Sequence, residues 1–151
     1  METDDPGLAR QIKRLLDSQV QCVLATLAVD GPAQHLMAYA RDDSLRSIYL
    51  ASFADTATLE NLTRHPAVSL LWENRGVRGR DHVDGLALTA TGRAQRLEGE
   101  VLASGRERLL RRNSSLSGLL ADAGAVVFRV DVERYHLVRG YSEQYDYHPA
   151  A

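Results

Sequence analysis

Hydroxyl side chains gather where an apolar run gives way to a helix-starting pattern. In SIYLASFADTATLENLTRHPAVSLLWENR (residues 47–75), Ser52, Thr56 and Thr58 follow Ile48-Tyr49-Leu50 and precede Leu59 and Leu62. A strand that empties into a helix N-terminus points free backbone N–H groups and the positive end of the helix dipole at one spot. With hydroxyls beside them, such groups suit an anion such as a phosphate. Asp55, Thr56 or Thr58 can equally act as plain helix caps, which is ordinary architecture. Other residues with chemical capacity are spread out. Asn74-Arg75 stands at a strand end, and Asp81-His82 in a polar loop reads as an acid/base pair or as solvated surface. His35 shares a strand face with Met37 and Tyr39, as a ligand contact or a partly buried structural residue. The five histidines (35, 65, 82, 136 and 148) lack the i, i+4 spacing of a helical zinc site. The chain shows no catalytic triad, metal-ligand constellation or glycine-rich dinucleotide loop.

The elements that must position these groups follow from periodicity. Pro6 after two aspartates starts a helix of about residues 5–18, with Leu8, Ile12, Leu15 and Leu16 on one stripe. Val20 to Ala28 reads as a strand. Val29-Asp30-Gly31-Pro32 reads as a turn, with Pro32 ending the ladder, and Ala33 to Ala40 returns. Arg41 to Ser44 is the next turn and Leu45 to Ala51 the third strand. A short helix carrying Leu59 and Leu62 stops at Pro66, and Ala67 to Trp72 resumes as strand. Trp72 is expected in the core or at a dimer interface. Leu86 to Leu97 is a strand whose Gly92 marks a bulge or corner.

Val101 to Arg112 is expected as a helix with Val101, Leu102, Leu109 and Leu110 towards the core, its arginine cluster 106–112 forming a solvated face. A shorter helix near Leu116 to Ala121 would be capped by Ser114 or Ser115. Ala125 to Val132 and Arg134 to Val138 read as two closing strands, and the order of the tail 140–151 is left open. The sum is a mainly β (α+β) single domain over 1–151: a small antiparallel barrel of six to seven strands spanning about 20–139, with flanking helices.

Composition narrows the class. The 151 residues are 44% hydrophobic, enough for one core, and the net charge of −2 argues against a nucleic-acid footprint. Cys22 is the single cysteine, expected in the core, so no intramolecular disulfide forms. No apolar run approaches a bilayer span, and METDDPG lacks a signal-peptide pattern, so no membrane partner and a cytoplasmic location are expected. Lys13 is the only lysine; a site built elsewhere with lysine must here be built otherwise.

The ordered set ATLAVDGPAQHLMAYARDDSLRSIYLAS, TATLENLTRHPAVSLLWENR, DHVDGLALTATGRA and VERYHLV runs from about Ala25 to Val138. It resembles the pyridoxamine 5'-phosphate oxidase-like superfamily of FMN-binding split barrels. The resemblance implies a homodimer with flavin at the subunit interface. It implies that Leu36, Met37, Ala38 and Tyr39 line the ring. Ala51, Ser52, Thr56, Ala57 and Thr58 would hold the phosphate and ribityl chain, and Asn74 and Arg75 would add polar contacts. Flavin-binding relatives commonly carry an Arg-Lys pair where this chain has Ala57-Thr58. Each lost charged bond is worth on the order of 1.5–3 kcal/mol. Arg75, Arg78 or Arg80 are candidates to replace it.

The resulting expectation is an FMN-dependent oxidoreductase acting on a small molecule, with no recognisable catalytic residue and NAD(P)H as a candidate electron donor. Two other classes stand beside it. One is a non-catalytic ligand-binding or sensor barrel that has lost FMN. The other is a barrel holding a deazaflavin or haem, with His35 or His82 as axial ligand.

Overall fold

The computed structural model describes residues 6–54, 56–74, 85–140 and 142–150. Helix α1 (Pro6–Ser18) leads into β1 (Gln21–Ala28), β2 (Gly31–Arg41) and β3 (Ser47–Phe53). Then follow α2 (Ala57–Arg64), β4 (Ala67–Glu73), β5 (Leu86–Arg96) and α3 (Gly99–Arg112). A 3-10 turn (Ser114–Leu116), α4 (Ser117–Ala121), β6 (Ala125–Arg139) and β7 (Glu143–Tyr147) complete the order. The strands lie β3-β2-β1-β4-β5-β6-β7, and β3 returns to pair with β6. Every pairing is antiparallel. Six strands therefore close a barrel and β7 extends it at one edge, the architecture expected from the strand pattern.

Alternation fills the interior. Leu24 on β1, Ile48 and Leu50 on β3, Leu70 and Trp72 on β4, Leu88 on β5 and Phe128, Val130 and Tyr135 on β6 are almost wholly buried. The α1 stripe Leu8, Ile12, Leu15 and Leu16 closes over this core. Trp72 sits in the core, its ring edge-on to Tyr39 at 5.4 Å between centroids. Cys22 is buried there as well, and burial pushes its thiol up to about 12.

Several local expectations are corrected. Pro32 does not end the ladder: β2 begins at Gly31, and Pro32 pairs opposite Leu27. Strand β3 pairs with β2 only at residues 39–41, so Pro32 lies on an open edge where its missing N–H costs nothing. The two closing strands are one strand, β6. The register shifts between Thr91 and Gly92, which pair with Arg134 and Val132, so Glu133 is the extra residue of a bulge rather than a break. The tail supplies β7, whose Tyr145 and Tyr147 pack on the core. Ser114 and Ser115 lie in the 3-10 turn and cap nothing; α4 starts at Ser117, and its N-cap position, Leu116, offers no side-chain cap. Val101 is half exposed, because the phase of α3 is set by fully buried Leu109 and by Gly105 packed on Leu97, Tyr49 and Val127.

The arginine cluster is also not simply solvated. Arg112 lies 4.3 Å over the Tyr39 ring and donates to the carbonyls of Tyr39 (3.1 Å), Leu16 (2.8 Å) and Gln19. It thus satisfies the C-terminal carbonyls of α1. The Tyr39 hydroxyl faces the Leu16 and Gln19 carbonyls as well, and burial pushes its pKa up to about 12. Arg108 donates to the Arg41 carbonyl and Arg106 to that of Leu120, while Arg111 pairs with Glu107 on the surface. Among the described residues, no helix is long and apolar enough to cross a membrane.

A Cβ on Gly92 would stand 2.1 Å from the Asp131 carbonyl oxygen, inside the bulge that bends the barrel wall. Gly92→Ala should cost about 3 kcal/mol or more, lowering the melting temperature by roughly 6–12 °C for a domain this size. Thermal unfolding followed by circular dichroism reads this directly. A shift below about 2 °C would mean that the bulge relaxes freely.

Candidate functional site

Strand β3 runs out at Phe53, and α2 begins four residues later under a Thr56 cap. The Thr56 backbone is extended, and its hydroxyl oxygen accepts from the Leu59 N–H at 3.4 Å. That hydroxyl donates to the Phe53 carbonyl at 2.8 Å and lies 2.9 Å from the Ser52 hydroxyl. The Ala57 and Thr58 N–H groups, in the first turn, have no partner among the described residues. With the Thr56 proton given to Phe53, the Ser52 hydroxyl and these two N–H groups are the neutral donors left at this helix start. The only first-turn carboxylate, Glu60, is paired with Arg64 at 2.8 Å. A depression of about 470 Å³ runs along this helix, lined by Ala54, Thr56, Leu59, Glu60, Thr63 and Arg64.

Beneath α2 the barrel end is polar. The Thr58 hydroxyl lies 3.0 Å from His35 Nδ1, His35 Nε2 lies 2.8 Å from the Thr26 hydroxyl, and Asn61 Nδ2 donates to that hydroxyl at 3.0 Å. Thr26, Thr58 and Asn61 are buried. Desolvation lowers the His35 pKa from its ordinary value. Both His35 ring nitrogens are thus engaged by threonines, which leaves neither free as an axial ligand.

The expected ring-lining run on β2 divides by strand alternation. Met37 and Tyr39 point into the core, whereas Leu36 is 66% exposed and Ala38 faces outward with it. Leu36 pairs opposite Val23, and Val23 opposite Leu71, so an apolar row crosses the outer face of β2, β1 and β4. Leu27 is exposed on the same face of β1. Ala51 is buried against the α3 side with Ala40, Leu97 and Leu109. Asn74 ends β4, where its side-chain oxygen accepts from the Leu86 N–H at 2.7 Å and ties β4 to β5. Arg75, Arg78, Arg80, Asp81, His82 and Asp55 lie outside the described residues. Ser52, Thr56, Ala57 and Thr58 come together; Leu36 and Ala38 form a separate outward surface, and Asn74 stands at another strand end.

The family model for pyridoxamine 5'-phosphate oxidase matches residues 8–139. The chain belongs to this family. No curated protein matches it in sequence. Among solved structures, it is similar to a haem-binding protein from Mycobacterium smegmatis, with a TM-score of 0.84 at 21% identity over 97% of this chain. The chain spans 60% of that protein's length. A haem storage protein from Vibrio cholerae gives 0.73 at 18% identity, over 87% of this chain and 94% of that one. A candidate pyridoxamine 5'-phosphate oxidase from Listeria innocua gives 0.67 at 23% identity, over 87% and 98%. At these identities the likeness is one of fold.

Sequence reasoning missed two arrangements in this family member. His136 Nδ1 lies 2.5 Å from Asp146 Oδ1, a cross-strand pair between β6 and β7 that holds the Asp146 carboxyl below its usual range. Nothing in the sequence couples the two, because β7 was not foreseen. The His35 cluster was also missed, since its members are 9 and 23 residues from His35. Their one sequence signal is inward alternation, which places Thr26 and His35 at the same barrel end. Among the described residues, no group of three or more His, Cys, Asp or Glu could hold a metal ion.

The lowered His35 pKa fixes the sign of a pH effect. The unfolded histidine takes up a proton near pH 6.5, while the folded one resists. The stability that His35 contributes is full above that pH and is lost as pH falls through the lower folded value. Melting temperatures between pH 7.5 and 5 should decline in the unaltered protein and decline less in His35→Gln. Parallel profiles would exclude His35 as the source.

Proposed function

We propose that this chain is a homodimeric FMN-binding split-barrel protein and a flavin-dependent oxidoreductase acting on a small molecule. The observation that carries the reading is the donor cluster of the Ser52 hydroxyl and the Ala57 and Thr58 N–H groups, beside the Thr56 cap where β3 meets α2. Its chemistry fits a phosphate monoester, whose oxygens accept from N–H and O–H donors. The fit is through neutral donors, since Ala57-Thr58 supplies no cation, and the affinity should be modest. Ser52 and the first-turn N–H groups would hold the phosphate, with Thr56 fixing the turn that presents them. Leu36, Ala38 and the β2 backbone would bound the ring, while Met37 and Tyr39 stiffen that strand from within the core. The exposed leucines 27, 36 and 71 suit burial by a second copy of the chain. When bound, the flavin supplies the hydride or electron transfer, and the protein supplies position and exclusion of water.

A second reading is a haem-binding barrel, favoured by the haem-binding neighbours and by the absence of cations at Ala57-Thr58. His35 is then not the axial ligand in the arrangement seen here, because both of its ring nitrogens are occupied. A deazaflavin would use the same phosphate donors.

The visible spectrum of freshly purified protein separates these readings, followed by FMN titration of colourless material. Flavin absorbance, or a dissociation constant in roughly the micromolar range, supports the first. A Soret band supports the second, and no binding at millimolar FMN sinks the flavin reading. Ala57→Arg, restoring one charged bond to phosphate, should tighten FMN by about tenfold or more. An unchanged constant would place the phosphate elsewhere.

A further inference from the structure

The donors and acceptors around His35 can be assigned one by one. The Thr26 hydroxyl oxygen accepts from Asn61 Nδ2 at 3.0 Å. Thr26 is 97% buried, with His35 Nε2 at 2.8 Å as the one other partner of its hydroxyl among the described residues. Its proton must go to that nitrogen, or a buried donor is left unmade. A nitrogen that accepts carries no proton, so neutral His35 carries its proton on Nδ1. Nδ1–H then donates to the Thr58 oxygen at 3.0 Å. The proton of Thr58 itself consequently points away from His35. Thr58 is 7% exposed, and this hydroxyl proton has no acceptor among the described residues.

We infer that His35 is a positioning residue. Locked as the Nδ1–H tautomer by Thr26 and Asn61, it turns the Thr58 hydroxyl into a donor reserved for an anionic ligand oxygen at the start of α2. This rests on the flavin reading above and gives Thr58 a specific part in it. The Thr58 N–H and O–H both belong to the second residue of the helix, two positions after the Thr56 cap. A phosphate there meets donors whose protons are already oriented. Had the chain of bonds run the other way, the Thr58 proton would be spent on His35 and the site would lose a donor. Thr26 and Asn61, neither of which meets the ligand, thus decide through His35 the polarity of the Thr58 hydroxyl.

Two measurements test this. Nitrogen-15 NMR of the imidazole reports the tautomer in the protein alone, without any ligand. An Nδ1–H signature is expected, and an Nε2–H signature for His35 would overturn the assignment. Titration with FMN and with riboflavin, which lacks the phosphate, reads the ligand half. Thr58→Val should weaken FMN by about tenfold or more while leaving riboflavin unchanged, and Thr58→Ser should restore FMN binding. Equal loss for both flavins would show that Thr58 only supports the fold, and an unaltered FMN constant would show that it does not touch the phosphate; either overturns the role. If the unaltered protein binds no FMN, the flavin reading and the ligand half fall together, while the tautomer still stands or falls on the spectrum.

Discussion

The fold depends on one closure: β6 must hydrogen-bond β5 along one edge and β3 along the other. Its 15 residues pair with Leu86 to Arg96 on one side and Ser47 to Phe53 on the other. A flat sheet cannot meet itself, so the wall has to coil, and the Thr91-Gly92 bulge opposite Glu133 supplies a bend. Gly92 is required there by contact rather than by dihedral, since the Asp131 carbonyl occupies the space a side chain would need. Once β3 is fixed against β6, its end at Phe53 sets where α2 must begin. The donor cluster beside Ser52 is therefore a by-product of barrel closure, carried on the end of β3 and placed by its pairing with β6.

Helices are attached to this barrel through polar groups as much as through apolar ones. Arg112 reaches from α3 to the Tyr39 ring and to the last carbonyls of α1, so one guanidinium joins two helices and a strand. Its charge is tolerated because several carbonyl oxygens and an aromatic face replace water. At the other end, α2 is tied down by Asn61 and Thr58, which reach Thr26 and His35 below. A purely apolar seat would let the helix turn about its axis. Hydrogen bonds to two particular strand residues fix that rotation, and with it the direction in which the first-turn N–H groups point.

The parts legible in the sequence are those governed by local rules. Alternation put His35, Met37 and Tyr39 on one face of β2; Gly92 announced the bulge; the run Asp55 to Thr58 and Pro66 bracketed α2. The parts that were not legible depend on partners remote in the chain. An arginine run looks solvated until one member is found over Tyr39, 73 residues away. Glu133 looked like a break between strands because a charged residue in an apolar run reads as an interruption, whereas a bulge simply turns it outward. At the site, the hydroxyl cluster was visible from composition and spacing. The commitment of Thr58 to His35 was not, because it requires the barrel to bring β2 beneath α2.

That commitment bears on how a site with no cation at Ala57-Thr58 can still discriminate. An Arg-Lys pair attracts any anion over several ångströms and tolerates loose geometry, because Coulomb attraction falls off slowly with distance. Neutral hydroxyls and N–H groups act only at bonding distance and along defined directions. They bind less tightly but read the shape of the acceptor more closely, provided their protons are held in place beforehand. The network of Asn61, Thr26 and His35 provides such holding for Thr58. On the flavin reading proposed above, oriented hydroxyls in place of cations at Ala57-Thr58 exchange strength for selectivity, and a ligand with a phosphate oxygen in the right place is the kind they would favour.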